Sequence, residues 1–264
     1  MSGGGATPHG IAADGVTPED LALAHRMADR AAEVALPFFG AASKSTIKSD
    51  GSPVGEADLA VERELLAALA SERPDDAILS EESGTHGHGG RRWIIDPIDG
   101  TVPFLAGNPE WGTHIALEVA GEIALAVVTR PTDGRRWWAV KGDGAYVRPA
   151  AGARDQPLEL TSVADLDSAT VSGWRPDDGE RFAPLAALRW RDVPLNDLTA
   201  VLDGRADVMI IPGRPWDHAP FLLLLEEAGG SFIDTEGGRR IDIGPALYTN
   251  GRLDEAIRRL LWPA

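Results

Sequence analysis

The pattern with the most evident chemistry is a pair of carboxylates, three residues apart, that follows an apolar run. Residues 93–95 have the composition of a short buried strand, and Asp96 and Asp99 come directly after it with Pro97 between them. Because proline keeps this stretch out of a helix, both acids can converge where the strand ends. Two carboxylates held together repel each other unless a cation lies between them, and such oxygen ligands suit Mg²⁺. The alternative is a turn that satisfies its own backbone groups.

The same segment offers groups that are not carboxylates. The backbone carbonyl of Ile98 can join the two acids as a metal ligand. Gly100 and Thr101 can open a helix, and the free amides of its first turn would face a bound phosphate. This turn can thus serve both a cation and a phosphate.

Acidic residues at two other places are further candidates. Glu81 and Glu82 follow a short apolar strand, so one could ligate a shared metal while the other supports it; the alternative is a solvated acidic loop. Asp217 opens a predicted helix, where it is either a ligand or an N-cap. We interpret His218 as a surface or packing residue and not a ligand, and the glycine-rich stretch 84–90 as a mobile loop.

The elements that must position these groups follow from capping and periodicity. Thr17 has the character of an N-cap with Pro18 in the first turn, and apolar residues recur at helical spacing to about residue 36. A second helix is predicted over 56–71. Strands of a hairpin-rich antiparallel sheet are predicted near 113–119, 122–130, 136–140 and 144–147. Beyond a linker at 149–157, strands near 169–173, 206–211 and 230–234 alternate with helices near 179–188, 195–204 and 217–228, and a terminal helix covers 252–261.

This order of elements divides the chain into three parts. Residues 1–16 are predicted to be a flexible N-terminal extension. Residues 17–150 form an α+β unit with most of the candidate metal ligands. Residues 151–264 form an α/β unit that completes the site with Asp217.

The composition limits the possible partners. The 264 residues include 25 Lys and Arg against 41 Asp and Glu, a net charge of −16, which argues against nucleic acid. No apolar run approaches the roughly 20 residues of a membrane span, and the first residues lack the features of a secretory signal. The absence of cysteine excludes disulfides and thiolate metal sites. We therefore expect a cytoplasmic protein without a membrane or nucleic acid partner.

Several of these motifs occur together in one known superfamily. They are D-P-I-D-G-T at 96–101, E-E-S at 81–83, W-D at 216–217, E-A-G-G at 227–230 and K-x-D-x-S-P-V-x-x-A-D at 48–58. In this order and at these spacings they resemble the inositol monophosphatase superfamily of metal-dependent phosphatases, over about residues 20–262. The resemblance implies an α/β fold, a five-layered αβαβα sandwich that is usually dimeric. It also implies hydrolysis of small phosphate monoesters with Mg²⁺, often inhibited by Li⁺.

The resemblance further implies roles for particular residues. Two or three Mg²⁺ ions would be held by Glu81, Asp96, the Ile98 carbonyl, Asp99 and Asp217, with Glu82 as a support. Thr101, paired with an acid of the early loop that we assign to Asp50, would activate the attacking water together with Glu81. The amides of Gly100 and Thr101 would bind phosphate oxygens, and no covalent intermediate is expected.

Within the superfamily, the stretches 135–145 and 111–113 look like those of actinobacterial histidinol-phosphate phosphatases. The walls around the leaving group depart from the superfamily pattern, because Ile210 stands where relatives commonly have a glutamate that contacts a substrate hydroxyl or amine. Asp192 begins a turn that reads G-S-A in many relatives. We expect the substrate-binding residues to include Asp192, Ile210 and Arg214, and the substrate to be a metabolite phosphate that can differ from histidinol phosphate and inositol phosphate.

Two alternatives stay open. The first is a nucleotide 3′-phosphatase acting on an adenosine bisphosphate, which needs a basic cluster for the second phosphate. The candidates for that cluster are Arg175, Arg189, Arg191 and Arg214. The second is a non-catalytic regulatory binding protein, since some relatives are partners of the transcription machinery. The intact acids at 81, 96, 99 and 217 favour an enzyme, and their Mg²⁺ would attract phosphate locally despite the net charge.

Overall fold

The fold is known from a computed structural model that describes residues 15–40, 45–47, 53–191 and 198–263. The helices in these ranges are α1 (Pro18–Ala35), α2 (Glu56–Glu72), α3 (Thr101–Leu105), α4 (Pro215–Glu227) and α5 (Asp254–Leu261). The strands are β1 (Ser45–Ile47), β2 (Pro53–Gly55), β3 (Ala77–Ser80), β4 (Gly84–His86), β5 (Arg91–Asp99), β6 (Gly112–Val119), β7 (Glu122–Arg130), β8 (Arg135–Val140), β9 (Gly144–Arg148), β10 (Gln156–Pro157), β11 (Val171–Gly173), β12 (Val208–Ile211), β13 (Ser231–Asp234) and β14 (Ala246–Thr249). Short 3₁₀ turns cover Leu36–Phe38, Ala183–Ala187 and Leu198–Ala200. Of the helices so described, none combines the length and the apolar composition needed to cross a membrane.

Two sheets contain most of the strands. The larger has the order β10-β9-β8-β7-β6-β5-β3-β4, in which β3 and β5 run parallel and the other neighbours antiparallel. The smaller has the order β11-β12-β14-β13, with β11 parallel to β12. β1 and β2 form a separate antiparallel pair. Because β3 and β5 are parallel neighbours, the residues that follow both strands lie at the same end of the larger sheet.

The helices cover and separate the two sheets. α1 and α2 pack on one face of the larger sheet through a buried cluster that includes Leu23, Leu65 and Trp93. α4 lies between the sheets, where Phe221 and Leu224 belong to a buried cluster with residues of both. Apolar residues of α5 pack with residues of the smaller sheet on its outer face. The succession of helix, sheet, helix, sheet and helix confirms the predicted five-layered αβαβα sandwich.

The second half of the chain differs in detail from the predicted alternation. The helix predicted over 179–188 is limited to the 3₁₀ turn at Ala183–Ala187, where Pro184 lies in the first turn and has no amide hydrogen to donate to a preceding turn. The helix predicted over 195–204 is, in its described part, the 3₁₀ turn at Leu198–Ala200 followed by further turns. The sequence patterning does not predict β14 at all. This strand nevertheless pairs with both β12 and β13, antiparallel to each.

Two segments predicted as irregular contain edge strands. Gly84–His86 of the glycine-rich stretch forms β4 at one edge of the larger sheet. Gln156–Pro157 of the predicted linker forms β10 at the other edge. The division of the chain near residue 150 stays a prediction, and one buried cluster contains residues from both predicted units.

A buried carboxylate fixes the start of α1. Thr17 and Asp20 form a capping box, in which the Asp20 amide donates to Thr17 Oγ1 at 3.2 Å and the Thr17 amide donates to Asp20 Oδ2 at 2.8 Å. Thr17 is therefore the N-cap, as predicted. Asp20 Oδ1 accepts from Arg73 Nε at 2.7 Å and from Arg91 Nη2 at 2.9 Å. Burial would raise the pKa of Asp20, but the Thr17 amide and the two guanidinium groups outweigh it and hold the pKa below its usual value.

We predict that Asp20→Ala lowers the free energy of unfolding by about 3 kcal/mol, because two partly buried guanidinium groups lose their shared carboxylate. Asp242→Ala is the matched control, since Asp242 pairs with Arg240 and both side chains are more than half exposed. Its expected loss is below about 1 kcal/mol. Urea unfolding followed by circular dichroism measures both variants. Equal losses would contradict a structural role for Asp20.

Candidate active site

Strand β5 presents its two acids through an irregular pairing with β6. Asp96 lies opposite His114, and the register shifts between Asp96 and Asp99. Within the shift, the carbonyl of Pro97 accepts a hydrogen bond from Thr113 Oγ1 at 2.9 Å. Such a bulge re-aims the side chains that follow it. Carboxylate oxygens of Asp96 and Asp99 consequently lie within 4.8 Å of each other.

The turn after β3 brings Glu81 to the same end of the sheet. The amide of Glu81 donates to the carbonyl of Ile95 at 3.1 Å, which ties the turn to β5. From α2, the buried Glu62 Oε1 accepts from the amide and the hydroxyl of Ser83, each at 3.0 Å, and from the hydroxyl of Ser80. Glu62 is a positioning residue that sequence analysis misses, because the spacing of acids along a helix does not show which distant turn they reach.

Asp217 comes from the second half of the chain, in the first turn of α4. The N-cap alternative for this residue is wrong, since Arg214 is the N-cap and Asp217 is the third helical residue. Asp217 Oδ2 accepts from the backbone amide of Arg214 at 2.6 Å. The positive end of the helix dipole favours a carboxylate at this position. The Asp217 carboxyl also hydrogen-bonds with Asp96, so α4 contributes to the group formed by β3 and β5.

Asp96 lies at the centre of this acidic cluster. Burial, and then the charges of Glu81, Asp99 and Asp217, raise the pKa of Asp96 well above its usual value. Burial is also the main reason that the pKa of Asp217 is raised, to about 7. The crowding therefore opposes full ionisation as long as no positive charge is present.

One oxygen of the cluster lacks a partner. Asp96 is almost fully buried, and its Oδ1 has no hydrogen-bond partner among the residues that the structure describes. A buried carboxylate oxygen in this condition is unfavourable unless a donor or a cation satisfies it. A hard divalent cation would satisfy the oxygen and offset the repulsion among the four acids. The residues present therefore fit Mg²⁺.

Thr101 begins α3 and faces an acid at the start of α2. Its Oγ1 donates to Asp58 Oδ1 at 2.9 Å and lies 3.3 Å from the carbonyl oxygen of Ile98. Asp58 Oδ2 accepts from the Gly55 amide at 2.9 Å. Burial raises the pKa of Asp58 in spite of the hydrogen bonds from Gly55 and Thr101. The predicted partner of Thr101, Asp50, lies outside the described residues, and the acid that the structure places there is Asp58.

Gly100 makes the turn from β5 into α3 possible. Its φ is 81°, in the left-handed region, and a Cβ at this position would lie 3.0 Å from the carbonyl oxygen of Glu110. Only glycine meets both conditions without strain. The first amides of α3 have no acceptor inside the helix. Their predicted role in holding phosphate oxygens stays a prediction.

His114 belongs to this region, although sequence analysis does not single it out. Its Nε2 lies 3.7 Å from Asp99 Oδ2, and one ligand atom from each of Asp96, Asp99 and His114 lies within 4.8 Å of the others. Burial lowers the pKa of His114 to about 3, so the ring is neutral at neutral pH. The position of His114 beside the acids follows from the register of β5 against β6, which the sequence does not show.

His218, by contrast, is a packing residue, as predicted from the sequence. Its Nδ1 lies 2.9 Å from the Tyr248 hydroxyl and its Nε2 lies 3.1 Å from the carbonyl oxygen of Gly244. Both ring nitrogens are thus occupied, and the ring packs against Phe232.

The structure places the remaining predicted residues in different surroundings. Ile210 is buried in β12 and lines a cavity of about 210 Å³ together with Trp174 and Phe182. Arg214 is exposed at the start of α4, and Glu82 is partly buried in the turn after Glu81. Asp192 lies outside the described residues.

Known proteins resemble this chain over nearly its whole length. The sequence model of the inositol monophosphatase family matches residues 17–263. The chain is 46% identical over 250 residues to a glucose-1-phosphate thymidylyltransferase of Streptomyces griseus, covering 92% of this chain and 96% of the relative. It is 40% identical over 255 residues to a histidinol-phosphatase of Mycobacterium tuberculosis, covering 92% and 98%. The IMPase of Thermotoga maritima has a similar structure, with a TM-score of 0.79 at 25% identity, covering 92% of this chain and 96% of that one.

The chain belongs to the inositol monophosphatase family. The match spans both halves of the sequence and both sheets. The resemblance to this family and to histidinol-phosphatases is therefore confirmed. The protein is a phosphatase, that is, a hydrolase of phosphate monoesters.

We predict that the cation-free protein loses stability as the pH rises. The pKa of Asp217 is about 7 in the folded state against 3.8 for a free side chain, so the folded state binds more protons between these values. In a chelator, the free energy of unfolding should fall from roughly pH 4 to pH 7, by at most about 4 kcal/mol from this group.

Two comparisons isolate the cause of this slope. Asp217→Asn should reduce it, because one titrating carboxyl is absent, while Asp96, whose pKa is also raised, still contributes. Excess Mg²⁺ should abolish it in the wild type, because a bound cation favours the ionised acids. Denaturant titrations across this pH range measure all three cases, and a slope that Asp217→Asn leaves unchanged would refute the assignment.

Proposed function

We propose that this phosphatase hydrolyses a small-molecule phosphate monoester with Mg²⁺ held by Glu81, Asp96, the Ile98 carbonyl, Asp99 and Asp217. The observation that carries the proposal is the buried Asp96 Oδ1, which has no partner in the described ranges while three other acids surround its carboxyl. The family resemblance supports two or three ions, with inhibition by Li⁺. Bound Mg²⁺ would polarise the phosphate and lower the pKa of the attacking water.

Thr101 and Asp58 would position and activate that water. The Thr101 hydroxyl donates its hydrogen to Asp58, so its lone pairs can accept a hydrogen bond from the water. As the new O–P bond forms, the water proton would pass towards this pair, and the pKa of Asp58, raised by burial, suits a group that takes up a proton. Direct attack by water requires no covalent intermediate.

The backbone at the start of α3 would hold the phosphate. Gly100 turns the chain from β5 into α3. As at the start of any helix, the first amides of α3 have no acceptor inside the helix. Amide donors in this arrangement bind phosphate oxygens. They would orient the ester for displacement in line with the water, while Arg214, exposed beside Asp217, would contact the substrate from the other side.

The cavity at Ile210 would receive the leaving group. Its walls include the apolar side chains of Trp174, Phe182 and Ile210 and the charged side chains of Glu180 and Arg181. An isoleucine cannot pair with the ammonium group that a glutamate would bind. Position 210 therefore offers no counter-charge to the amine of histidinol, and the acid that lines the cavity is Glu180.

Two other activities are weaker candidates. A nucleotide 3′-phosphatase needs free basic groups, but Arg175 lies over the ring of Trp190 at 5.0 Å and Arg191 Nη1 donates to the carbonyl of Arg205 at 3.2 Å. The Streptomyces griseus relative has the name of a nucleotidyltransferase. The Thr101–Asp58 pair favours hydrolysis, because it would activate water and not a sugar phosphate.

A substrate panel tests the proposal. Phosphate release is measured with Mg²⁺ from histidinol phosphate, inositol 1-phosphate, glucose 1-phosphate and adenosine 3′,5′-bisphosphate, and pyrophosphate release from dTTP with glucose 1-phosphate. We expect Mg²⁺-dependent hydrolysis of at least one monoester, reduced by at least about 100-fold in Asp96→Asn but not in the surface control Asp242→Asn. Pyrophosphate release would favour nucleotidyl transfer. A folded protein that hydrolyses no ester would favour a regulatory binding protein.

We predict that Thr101→Val and Asp58→Asn each lower kcat by about 100- to 10,000-fold, with a small change in KM, because they remove the acceptor for the water proton. The exposed neighbour Val102 provides the control Val102→Ala, which should retain activity. Steady-state kinetics on the best substrate of the panel measures these values. If kcat stays within about threefold in both variants while the fold is kept, the pair does not activate the water.

We predict that Ile210→Glu raises kcat/KM for histidinol phosphate by about tenfold relative to Ile210→Gln, because a charge-assisted hydrogen bond to the amine is regained. Ile210→Gln has the same shape without the charge. The ratio of the two variants on glucose 1-phosphate should stay near one, since that substrate has no amine. If Ile210→Glu raises neither the preference for histidinol phosphate over glucose 1-phosphate nor kcat/KM for histidinol phosphate, Ile210 does not contact the leaving group.

The proposal includes a homodimer in the cytoplasm. The family resemblance supports the dimer, and the composition supports the location. The substrate would then be a metabolite phosphate of the cytoplasm, with no nucleic acid or membrane partner.

A further inference from the structure

His114 occupies a position from which an imidazole can reach the cation site. It pairs with Asp96 across β5 and β6, and residues paired directly in this way project from the same face of a sheet. Its Nε2 lies 3.7 Å from Asp99 Oδ2. Two ligands of one ion, with bonds near 2.1 Å, are about 3.0 Å apart when adjacent and about 4.2 Å apart when opposite. The observed separation falls between these limits.

Packing alone does not account for a polar ring at this place. His114 is almost fully buried, and within the described part of the chain its Nδ1 has no hydrogen-bond partner. The ring lies edge-on to Phe221 at 5.2 Å between centroids. His218 is equally buried, but both of its ring nitrogens have hydrogen-bond partners. Asp96 Oδ1, on the strand that faces His114, is likewise buried without a partner. A cation between the paired residues would satisfy Asp96 Oδ1, and the neutral ring of His114 offers it a nitrogen, since one ligand atom from each of Asp96, Asp99 and His114 lies within 4.8 Å of the others.

We propose that His114 is a nitrogen ligand of the cation held by Asp96 and Asp99. The inference rests on the proposed function, because it presupposes a cation at these acids. A nitrogen ligand changes the metal preference of the site, since Co²⁺ and Zn²⁺ bind imidazole readily whereas Mg²⁺ prefers oxygen. A site that includes His114 would therefore favour a transition-metal ion over Mg²⁺ to a greater extent than a site with oxygen ligands alone.

Electron spin echo spectroscopy tests the ligation directly. The full chain is stripped of metal and loaded with one equivalent of Mn²⁺, and the nitrogen modulation of the echo is recorded. The variants are His114→Gln and His114→Leu, and the matched control is His88→Gln, because His88 is exposed in the turn before β5. We expect nitrogen modulation in the wild type and in His88→Gln, and its loss in both His114 variants, which still bind Mn²⁺ through the acids.

Calorimetry provides a second readout that does not depend on activity. The dissociation constants for Co²⁺ and Mg²⁺ are measured for the wild type, His114→Gln and His88→Gln. We expect His114→Gln to weaken Co²⁺ binding by about tenfold or more relative to Mg²⁺ binding. His88→Gln should leave the ratio unchanged.

The outcomes separate this inference from the proposed function. Mn²⁺ binding with unchanged nitrogen modulation in the His114 variants overturns the His114 assignment and leaves the acidic site intact. A wild-type chain that binds no Mn²⁺ overturns both. If the His114 variants do not fold, the same echo measurement is made on wild-type protein with isotopically labelled histidine. A change in the modulation with the label supports imidazole ligation, and an unchanged pattern overturns it.

Discussion

The repulsion among carboxylates gathered around Asp96 is the constraint on which the rest of the structure depends. Glu81, Asp96, Asp99 and Asp217 come from the turn after β3, from β5 and from α4, and no local preference of the chain would bring them together. Tertiary packing must hold them, and each has a support nearby. Glu62 fixes the turn of Glu81, Thr113 fixes the bulge between Asp96 and Asp99, and the start of α4 fixes Asp217.

The acid that stabilises the fold and the acids of the candidate active site differ in the groups that donate hydrogen bonds to them. Asp20 is buried against two guanidinium groups, so its charge is neutralised within the protein and is not available to a ligand. Asp58 and Asp217 instead accept hydrogen bonds from backbone amides, which orient a carboxylate without cancelling its charge. A cluster built in the second way keeps its affinity for a cation. This distinction explains how an acidic chain can bind a phosphate ester, because the charge that matters is the local one.

The parts of the fold that the sequence predicts are those with a local physical signal. The N-cap at Thr17 and the alternating strands β6 to β9 are examples, as is the pair Asp96 and Asp99, which a proline holds at a strand end. β14 is buried throughout like β12, but it escapes prediction because Ala246–Thr249 lacks the run of large aliphatic residues that identifies β12. Asp58 and His114 escape for another reason. Their roles depend on which residue lies opposite them in three dimensions, and only the pairing of β5 with β6 and the approach of α2 to α3 provide that information.

The position of α4 as the middle layer also bears on how the molecule assembles. Glu81 and Asp217 are separated by about half of the chain, and α4 can bury its apolar residues only when both sheets are present to receive it. Contacts of such long sequence separation form late in folding, so the ligand set closes after the two halves have docked. A cation that binds this set and not the unfolded chain stabilises the completed structure over every partly folded form. The complete metal site would in that way exist only in the fully folded protein.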